Sequence, residues 1–377
     1  MGMTPDQQEV YDLHTKEGLS LRAIAAKLGK GQTTVRGLYA KAQKWAALDP
    51  YIVGGLEEYG VKDLAGVGGG WLIKGDGEGG RLSLRFETAK EQFDIIAAVK
   101  DAFNDITPSE PVIAPETVES DLCSVVPLFD VHFGAHAWGR ETGGQDYDVK
   151  LAASDLQMAV EKVLAITPKT AHAFIIIGGD FLHADDNRSE TPQNRHKLDT
   201  DGRHHKVLGD AITAMSHLIE RVLGHCESAT IRVLRGNHDE HSHMVLKYAL
   251  AQRYRNEPRI DVDLSPMDVF MAQWGRAAIF AHHGDKAPPE RLTLYLSDVC
   301  RFWTEARHRY CYTGHVHKDQ AKDVGPMRWE SLRAFCPADS YAAGMGYVSR
   351  RAFRIDVYHK RDGRVMTALD PIERLIG

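Results

Sequence analysis

The sequence predicts an α/β protein: a large domain of buried strands flanked by helices, preceded by a small helical domain. Three observations lead to this fold class. Beyond residue 121, apolar runs alternate with helical stretches, as in buried strands that helices cover. The first 48 residues carry helix caps and helical spacing instead. A segment with several prolines and acids separates the two parts and marks a domain boundary.

Length and composition describe an ordinary globular chain. Its 377 residues exceed the usual size of a single core, so we expect one large domain with smaller ones. The chain is 43% hydrophobic and 26% charged, and it has no run of roughly 18 apolar residues that could span a bilayer. The polar first residues lack the apolar core of a signal peptide. We therefore expect a cytoplasmic protein without a membrane partner.

The cysteines and histidines favour metal chemistry over disulfides. The five cysteines are far apart and form no C-x-x-C pair, so we expect them to be reduced and mostly buried. The 19 histidines are the unusual part of the composition. Many of them stand beside Asp, Asn or Gly, a composition that indicates metal chemistry.

The N-terminal domain, residues 1–48, is predicted to contain three helices. Thr4 is a plausible N-cap with Pro5 at the first helical position. Ser20 can cap a second helix, which ends at the turn formed by residues 28–30, and residues 33–42 predict a third. This pattern resembles a helix-turn-helix, which places its second helix in the DNA major groove.

The charge of this domain supports contact with nucleic acid. Although the whole chain carries a net charge of -6, the segment from Lys16 to Lys44 has seven basic residues and one acidic residue. The alternative is a basic helical bundle that contacts only other proteins. The residues we expect to contact DNA lie on the third helix: Gln32, Thr33, Thr34, Arg36 and Lys41.

Residues 49–105 are predicted to form a small α+β or wing-like module whose role the sequence does not give. The stretch from Trp71 to Phe86 alternates apolar and polar residues around a Gly-rich turn, which is typical of a β-hairpin. An amphipathic helix follows from Ala89 to Phe103. Residues 106–121 then predict an extended linker.

The large domain, residues 122–377, shows apolar runs that predict strands. Helices are predicted from Leu151 to Ile166 and from Asp210 to Leu223, and the run "RAFRIDVY" completes the core near the C-terminus. The strand-like runs are "SVVPLF", "AFIIIGG", "TIRVLRG", "AAIFAHHG" and "RYCYTGH".

Each of these five strands ends in side chains that can bind a metal ion. Because functional groups in open α/β sheets gather at the carboxyl ends of strands, we expect the five groups to meet in one crevice. In D-x-H and H-x-H an extended strand would place both side chains on one face. Carboxylate or amide oxygen combined with imidazole nitrogen suits Mn²⁺, Fe²⁺ or Zn²⁺ better than Ca²⁺ or Mg²⁺. The groups are Asp130 with His132, Asp180 with His183, Asn237 with His238, His282 with His283, and His315 with His317.

The order D-x-H, G-D, G-N-H-D, H-G, G-H-x-H resembles the motif series of the calcineurin-like metallophosphoesterase superfamily over residues 124–358. The resemblance implies a metallophosphoesterase-type β-sandwich core flanked by helices. A histidine at the position of His183 is similar to the SbcD-type nuclease branch. Joined to a helix-turn-helix, the arrangement resembles metallophosphoesterases encoded in phage and prophage genomes.

The resemblance also implies a role for each residue of the motifs. Two divalent ions would be bound, for which we expect Mn²⁺, with Fe²⁺, Zn²⁺, Ni²⁺ or Mg²⁺ as alternatives. A bridging hydroxide would attack the phosphate, and His238, held by Asp239 or by a backbone group, would protonate the leaving alkoxide. His283 is preferred over His282 because the family's ligand stands directly before Gly, and an error of one residue stays open. The implied ligands are Asp130, His132 and His317 for one ion, Asn237, His283 and His315 for the other, and Asp180 for both.

Substrate contacts are predicted from the long polar segment that follows Asp180. The segment from Asp185 to Lys206 is rich in His and Arg, so it suits a substrate loop at the mouth of the site. An ordinary solvated insertion and, for His183, a role in supporting the ligands are the alternatives. The candidate substrate residues are His183, Arg188, Arg203, His204 and Lys286.

Three functions agree with these features. The first is a phosphodiesterase that acts on nucleic acid, with a DNA nuclease preferred. The second is a phosphatase or phosphodiesterase for proteins or small nucleotides, with the N-terminal helices as an adaptor. The third, a DNA-binding regulator with a decayed site, conflicts with the complete set of ligands. A homo-oligomer is compatible with the sequence, whereas an ATPase partner is in doubt because the C-terminal capping region of SbcD is missing.

Overall fold

A computed structural model describes residues 3–46, 70–75, 81–86, 107–348 and 350–372 of the chain. The chain divides into two compact units, Met1–Asp101 and Ala102–Gly377. The helix predicted from Ala89 to Phe103 and most of the predicted module at 49–105 lie outside the described residues.

The N-terminal unit begins with three helices, and their starts confirm the predicted caps. In α1 (Pro5–Thr15) the Thr4 hydroxyl accepts from the amide of Gln7, whose side chain accepts from the amide of Thr4. The Ser20 hydroxyl accepts from the Ala23 amide at the start of α2 (Leu21–Leu28). A left-handed Gly29 then ends α2, and α3 spans Gln32–Ala46.

These helices pack through a small apolar cluster. Each helix contributes side chains at helical spacing, so one face of every helix is turned towards its neighbours. The opposite, polar face of α3 stays exposed along its first turns. The buried members of the cluster are Val10, Leu13, Ile24, Ala25 and Val35.

The structure confirms the two strands of the predicted hairpin. The strands β1 (Gly70–Gly75) and β2 (Arg81–Phe86) pair antiparallel, with Gly70 opposite Phe86 and Gly75 opposite Arg81. The Gly-rich turn between them lies outside the described residues.

The larger unit contains a six-stranded sheet in the order β13-β12-β3-β4-β5-β6. Strands β3 to β6 run parallel, and β12 and β13 continue the sheet in antiparallel pairing. The first strand begins inside the predicted linker, because its polar first residues continue the pairing with β4 beyond the apolar run. The strands are β3 (Glu119–Leu128), β4 (Thr170–Ile177), β5 (Cys226–Val233), β6 (Ile260–Asp263), β12 (Phe353–His359) and β13 (Gly363–Asp370).

A five-stranded sheet in the order β10-β11-β9-β8-β7 packs against the first. Its central strands β11, β9 and β8 are parallel, and its outer pairs are antiparallel. The strands are β7 (Val269–Trp274), β8 (Ala277–His282), β9 (His308–Thr313), β10 (Gln320–Val324) and β11 (Met327–Ser331).

Helices cover the outer faces of both sheets, which gives a four-layered α/β sandwich and confirms the predicted α/β class. Val125 and Ile176 of the six-stranded sheet meet Ile279 and Tyr312 of the other sheet in the central layer. The helices of this unit are α4 (Gly139–Thr142), α5 (Val149–Leu164), α6 (His204–Leu223), α7 (Ser242–Arg253), α8 (Pro289–Val299) and α9 (Ser340–Gly344). Of these, α8 packs on the outer face of the five-stranded sheet through Leu292 and its neighbours.

Among the described residues, no helix combines the length and apolar character needed to cross a lipid bilayer.

Candidate metal centre

The metal-capable side chains lie where parallel strands of both sheets end. Asp130 and His132 follow β3, and Asp180 follows β4. Asn237 follows β5. In the five-stranded sheet, His283 follows β8, and His315 and His317 follow β9. Because the two sheets are packed face to face, these ends meet at one edge of the sandwich.

The expectation that D-x-H and H-x-H sit on extended strands is wrong. Asp130, His132, Asp180, His315 and His317 all have positive φ angles, between 47° and 67°. Side chains other than Gly rarely adopt this left-handed conformation, which costs roughly 1–3 kcal/mol per residue and is concentrated at functional sites. The chain has already left each sheet, and tight turns bring both members of each pair towards the same space.

The side chains form two groups that share Asp180. In the first group, donor atoms of Asp130, His132 and Asp180 lie within 4.8 Å of one another. In the second group, donor atoms of Asp180, His283 and His315 do so. The carboxylate of Asp180 therefore lies between them, as the bridging role requires.

Distances inside the groups fit ligands that share an ion. Two donors bound to one ion by bonds of about 2.1 Å stand roughly 3.0–3.5 Å apart. The Nε2 atom of His283 is 3.3 Å from Oδ2 of Asp180 and 3.1 Å from Oδ1 of Asn237. The Nε2 atoms of His132 and His317 are 3.3 Å apart. Three imidazoles, a carboxylate and an amide oxygen thus have the spacing of coordinated ligands.

Asp130 supplies a buried oxygen that no other side chain uses. Its Oδ2 accepts from the His315 amide at 2.9 Å. Within the described part of the chain, Oδ1 is buried and has no hydrogen-bond partner, and it lies 3.8 Å from Nε2 of His317. An unpaired buried carboxylate oxygen is costly unless a ligand compensates it. The donor set therefore fits the divalent ions that the motifs imply.

Asp180 and His283 form an ion pair in the site, whereas His132 is neutral. Burial disfavours the charged form of Asp180, yet the charged His283, which also hydrogen-bonds the carboxylate, holds its pKa well below the usual value. Burial also opposes protonation of His283, but the carboxylates of Asp180 and Asp130 raise its pKa to about 10. Burial lowers the pKa of His132 well below its usual value, and His238 lowers it further. His132 is therefore neutral, which is the form that binds metal ions.

His238 is held by a backbone group, not by Asp239. Its Nδ1 donates to the carbonyl of His183 at 2.8 Å, and its amide donates to Oδ1 of Asp180 at 2.8 Å. Asp239 instead accepts from the backbone amides of Gly236, Asp180, Phe181 and Leu182 at 2.9–3.2 Å. Its carboxylate thus joins the turns after β4 and β5, which carry Asp180 and Asn237.

Of the two adjacent histidines, His283 enters the site. Besides its contacts to Asp180 and Asn237, its Nδ1 lies 3.1 Å from the Gly178 carbonyl. His282 is also buried, but its Nδ1 accepts from the amide of Gly284 at 2.9 Å. The side chain of His282 thus serves the local turn.

Three members of the two groups, His132, Asp180 and His315, line a cavity of about 500 Å³. Of the candidate substrate residues, His183 lines this cavity, where its Nδ1 is 3.1 Å from Nδ1 of His132. The others do not line it: Arg188 pairs with Asp186, Lys286 bonds Asp268, and Arg203 and His204 line a separate cavity of about 390 Å³. The part of the predicted substrate loop that does line the cavity is the stretch around His196 and Lys197.

Several lining residues have no local signal in the sequence. Lys318, Tyr341 and Tyr347 reach the cavity from the segments after β9 and β11. The buried Cys336 also lines it, with Sγ within 4.8 Å of donor atoms of His132 and His317. Lys318 directly follows the H-x-H motif, whereas Cys336, Tyr341 and Tyr347 are remote in sequence from the motifs and reach the site only through the fold.

The candidate DNA-contacting residues lie together on α3 of the N-terminal unit. The side chains of Gln32, Thr33, Thr34, Arg36 and Lys41 are all exposed. An exposed, polar and partly basic helix face of this kind is available to a nucleic acid or to another protein.

Comparison with known proteins gives weak likenesses only. No family model and no curated protein matches the sequence. An archaeal phosphodiesterase is similar in structure, with 13% identity, a TM-score of 0.34, and coverage of 66% of this chain and 99% of its own. A predicted phosphoesterase of Streptococcus pneumoniae has 11% identity, a TM-score of 0.29 and coverage of 66% and 97%. Vps29 of Entamoeba histolytica complexed with zinc has 13% identity, a TM-score of 0.30 and coverage of 66% and 99%.

Proposed function

We propose that this chain is a phosphodiesterase of the calcineurin-like metallophosphoesterase type, dependent on two divalent metal ions. One observation carries the proposal: oxygen and nitrogen donors from both sheets form two groups that share the buried carboxylate of Asp180. A bridging carboxylate between two imidazole-containing groups is the arrangement that two-metal hydrolysis of phosphate esters needs. Mn²⁺ is the ion we expect to support activity best, since the donors mix oxygen with imidazole nitrogen.

The chemistry divides between the ions and the side chains of the chain. Bound ions would supply an activated water and neutralise charge on the phosphate. His238 uses Nδ1 to donate to the His183 carbonyl, so Nε2 is the ring nitrogen free to exchange a proton with the leaving group. His183 is buried beside His132 and fixes the orientation of that ring. Asp239 holds the two turns that carry Asp180 and His238.

We propose nucleic acid as the substrate, with DNA preferred. The exposed face of α3, which carries Arg36 and Lys41, supports a helix-turn-helix that binds DNA. Linkage of a DNA-binding element to a phosphodiesterase centre on one chain favours a nuclease similar to the SbcD type.

The test is a substrate panel with protein loaded separately with Mn²⁺, Zn²⁺, Fe²⁺, Ni²⁺ or Mg²⁺. Labelled single-stranded DNA, duplex DNA and RNA are incubated with each form, and product lengths are read on a gel. Methyl p-nitrophenyl phosphate reports diester hydrolysis independently of nucleic acid. Metal content is measured in parallel, and we expect two ions per chain. Absence of hydrolysis of every substrate with every ion would refute the proposal.

A second candidate is a phosphodiesterase or phosphatase for small nucleotides or phosphoproteins, with the N-terminal helices as an adaptor. The observation that favours it is the size of the cavity, about 500 Å³, since this lies in the range of small-molecule sites. Turnover of cyclic dinucleotides or phosphopeptides at rates well above those for DNA would select this candidate.

A further inference from the structure

A rim of aromatic and basic side chains surrounds the mouth of the metal-site cavity. Tyr341 and Tyr347 line it from the segment after β11, and they are 59% and 54% exposed. His196 and Lys197 line it from the loop after β4, and Lys318 lines it just after His317. The rim lies outside the five metal-binding motifs, although His196 and Lys197 belong to the predicted substrate loop, and the proposed hydrolysis chemistry does not use it.

In the rim, each tyrosine stands next to a basic or ionisable side chain. The Nζ atom of Lys318 is 5.9 Å from the ring centroid of Tyr347. The ring centroids of His196 and Tyr341 are 6.2 Å apart, with the rings tilted by 41°. An exposed aromatic face beside a cation offers one surface for a flat apolar group and another for a phosphate. A nucleotide carries both kinds of group, a flat base and a phosphate.

The segment that carries Tyr341 is hydrogen-bonded to the backbone of Asp130, one of the proposed ligands. The Asp339 carboxylate caps α9 by accepting from the Ala342 amide at 2.8 Å, and the Ser340 hydroxyl donates to Asp199 of the opposite loop. Just before this helix, the amides of residues 335 and 336 donate to the Asp130 carbonyl at 3.1 and 3.2 Å. The position of Tyr341 is therefore coupled to the position of Asp130.

We propose that Tyr341 and Tyr347 stack on the bases of nucleotides that flank the scissile phosphate, so that the substrate is an unpaired nucleic acid strand. This inference rests on the proposed phosphodiesterase function and specifies its substrate. Inside a duplex both faces of each base are covered by neighbouring base pairs, so tyrosines on either side of an internal phosphate find a free face only on unpaired bases. Stacking of one base on an aromatic side chain changes affinity by about five- to a hundredfold.

The inference is tested by binding in EDTA, where hydrolysis does not interfere. Fluorescein-labelled hexathymidylate and an abasic strand of equal length are titrated with the full-length protein, and anisotropy is read. We expect the thymidine strand to bind at least about fivefold more tightly than the abasic strand. The variant Tyr341→Leu with Tyr347→Leu should lose that difference, whereas Tyr341→Phe with Tyr347→Phe should keep it.

A matched control separates the rim from a general effect of surface aromatics. Tyr248 lies on α7 with 44% of its side chain exposed, and it does not line the cavity. Tyr248→Leu should leave the preference for thymidine over abasic strands intact. Equal affinity of the unmodified protein for the two strands would overturn the inference, as would tighter binding of a blunt duplex or of an acidic phosphopeptide than of the thymidine strand.

Failure of the inference can be told from failure of the proposed function. Hydrolysis of methyl p-nitrophenyl phosphate without any base-dependent binding would refute the stacking role alone. Base-dependent binding without hydrolysis of any diester would refute the catalytic proposal and leave the rim as a nucleic-acid-binding surface. If neither hydrolysis nor base-dependent binding is found, both proposals are wrong.

Discussion

The carboxylate of Glu330 accepts hydrogen bonds from both terminal nitrogens of Arg364, at 2.6 and 2.9 Å. Glu330 lies on β11 of the five-stranded sheet, and Arg364 lies on β13 of the six-stranded sheet. Arg354 on β12 donates to the same carboxylate. Glu330 is only 5% exposed, so this charged contact joins the sheets at a buried position. The sheets in turn supply the strand ends that carry the metal centre.

This contact predicts acid sensitivity. Burial alone would raise the pKa of Glu330, but Arg364 and Arg354 lower it to about 2. A carboxyl whose pKa is lowered on folding stabilises the protein above its unfolded pKa of about 4.3. That stability is lost as pH falls from about 4.3 towards 2. Melting temperatures between pH 7 and pH 2 should therefore fall across this window.

Glu330→Gln provides the comparison. Removing one partner of a buried ion pair should cost about 3 to 5 kcal/mol in the free energy of unfolding at pH 7. The difference in the free energy of unfolding between the variant and the parent should become smaller as the pH falls towards 2. A constant difference across that range would show that ionisation of Glu330 does not contribute to the acid sensitivity.

Asp180→Asn should abolish diester hydrolysis. A neutral amide is a poor bridge between two cations, so both ions should bind less tightly. Metal content after gel filtration and turnover of methyl p-nitrophenyl phosphate are the measurements, with Asp210→Asn on α6 as the control. A variant with two bound ions and near-normal turnover would contradict the shared position of this carboxylate.

His238→Ala should slow the reaction but keep the metal. Loss of a general acid should lower the rate about 10²- to 10⁴-fold for diesters with alkoxide leaving groups, and less for p-nitrophenolate, which needs no proton. Metal content and rates on the two kinds of leaving group are compared with those of His205→Ala, which changes an exposed residue of α6. Loss of metal on His238→Ala would make this histidine a ligand instead.

Gly236→Ala should disturb the metal centre without changing any ligand. A Cβ at this position would stand 2.0 Å from Oδ1 and 2.2 Å from the amide nitrogen of Asp180, so the turn after β4 must move. We expect metal affinity to fall at least about tenfold. Gly209→Ala on α6 meets no atom within 4 Å and should leave metal affinity unchanged. Equal metal affinity of the two variants would show that metal binding does not depend on the close approach of the Gly236 backbone to Asp180.

Arg36→Ala with Lys41→Ala should weaken DNA binding and spare hydrolysis of a small diester, as should removal of the first 50 residues. The ligands all lie beyond residue 121. The loss of affinity should be greatest at low salt, because phosphate contacts release counterions and fade as salt rises. Affinities are measured between low and physiological salt. Equal affinity of parent and variants at every salt concentration would exclude α3 as the DNA-binding element and favour the adaptor role.

The sequence predicts the parts of this molecule whose cause is local. Apolar runs identify the buried strands β3, β4, β5, β8 and β9, and polar side chains at their ends mark the site. Thr4 and Ser20 mark helix starts because a cap needs only a hydroxyl and the following turn.

What the sequence does not show depends on distant contacts. β10 has the exposed, polar composition of a loop and becomes a strand by pairing with β11. Asp130 and His132 adopt positive φ angles without glycine, and no short-range rule predicts this. The sequence leaves open whether Asp239 or a backbone group holds His238, and the backbone group does so because amides of the turn after β4 occupy the Asp239 carboxylate.

The proposed ligands come from both layers of the sandwich, with Asp130, Asp180 and Asn237 after strands of one sheet and His283 and His315 after strands of the other. Ions bound there would act as reversible cross-links between the sheets. A ligand that binds only the folded state adds about 2.7 kcal/mol of stability at a hundred times its dissociation constant. The supply of metal would then determine how firmly the two halves of the sandwich stay together, as well as whether the proposed hydrolysis takes place.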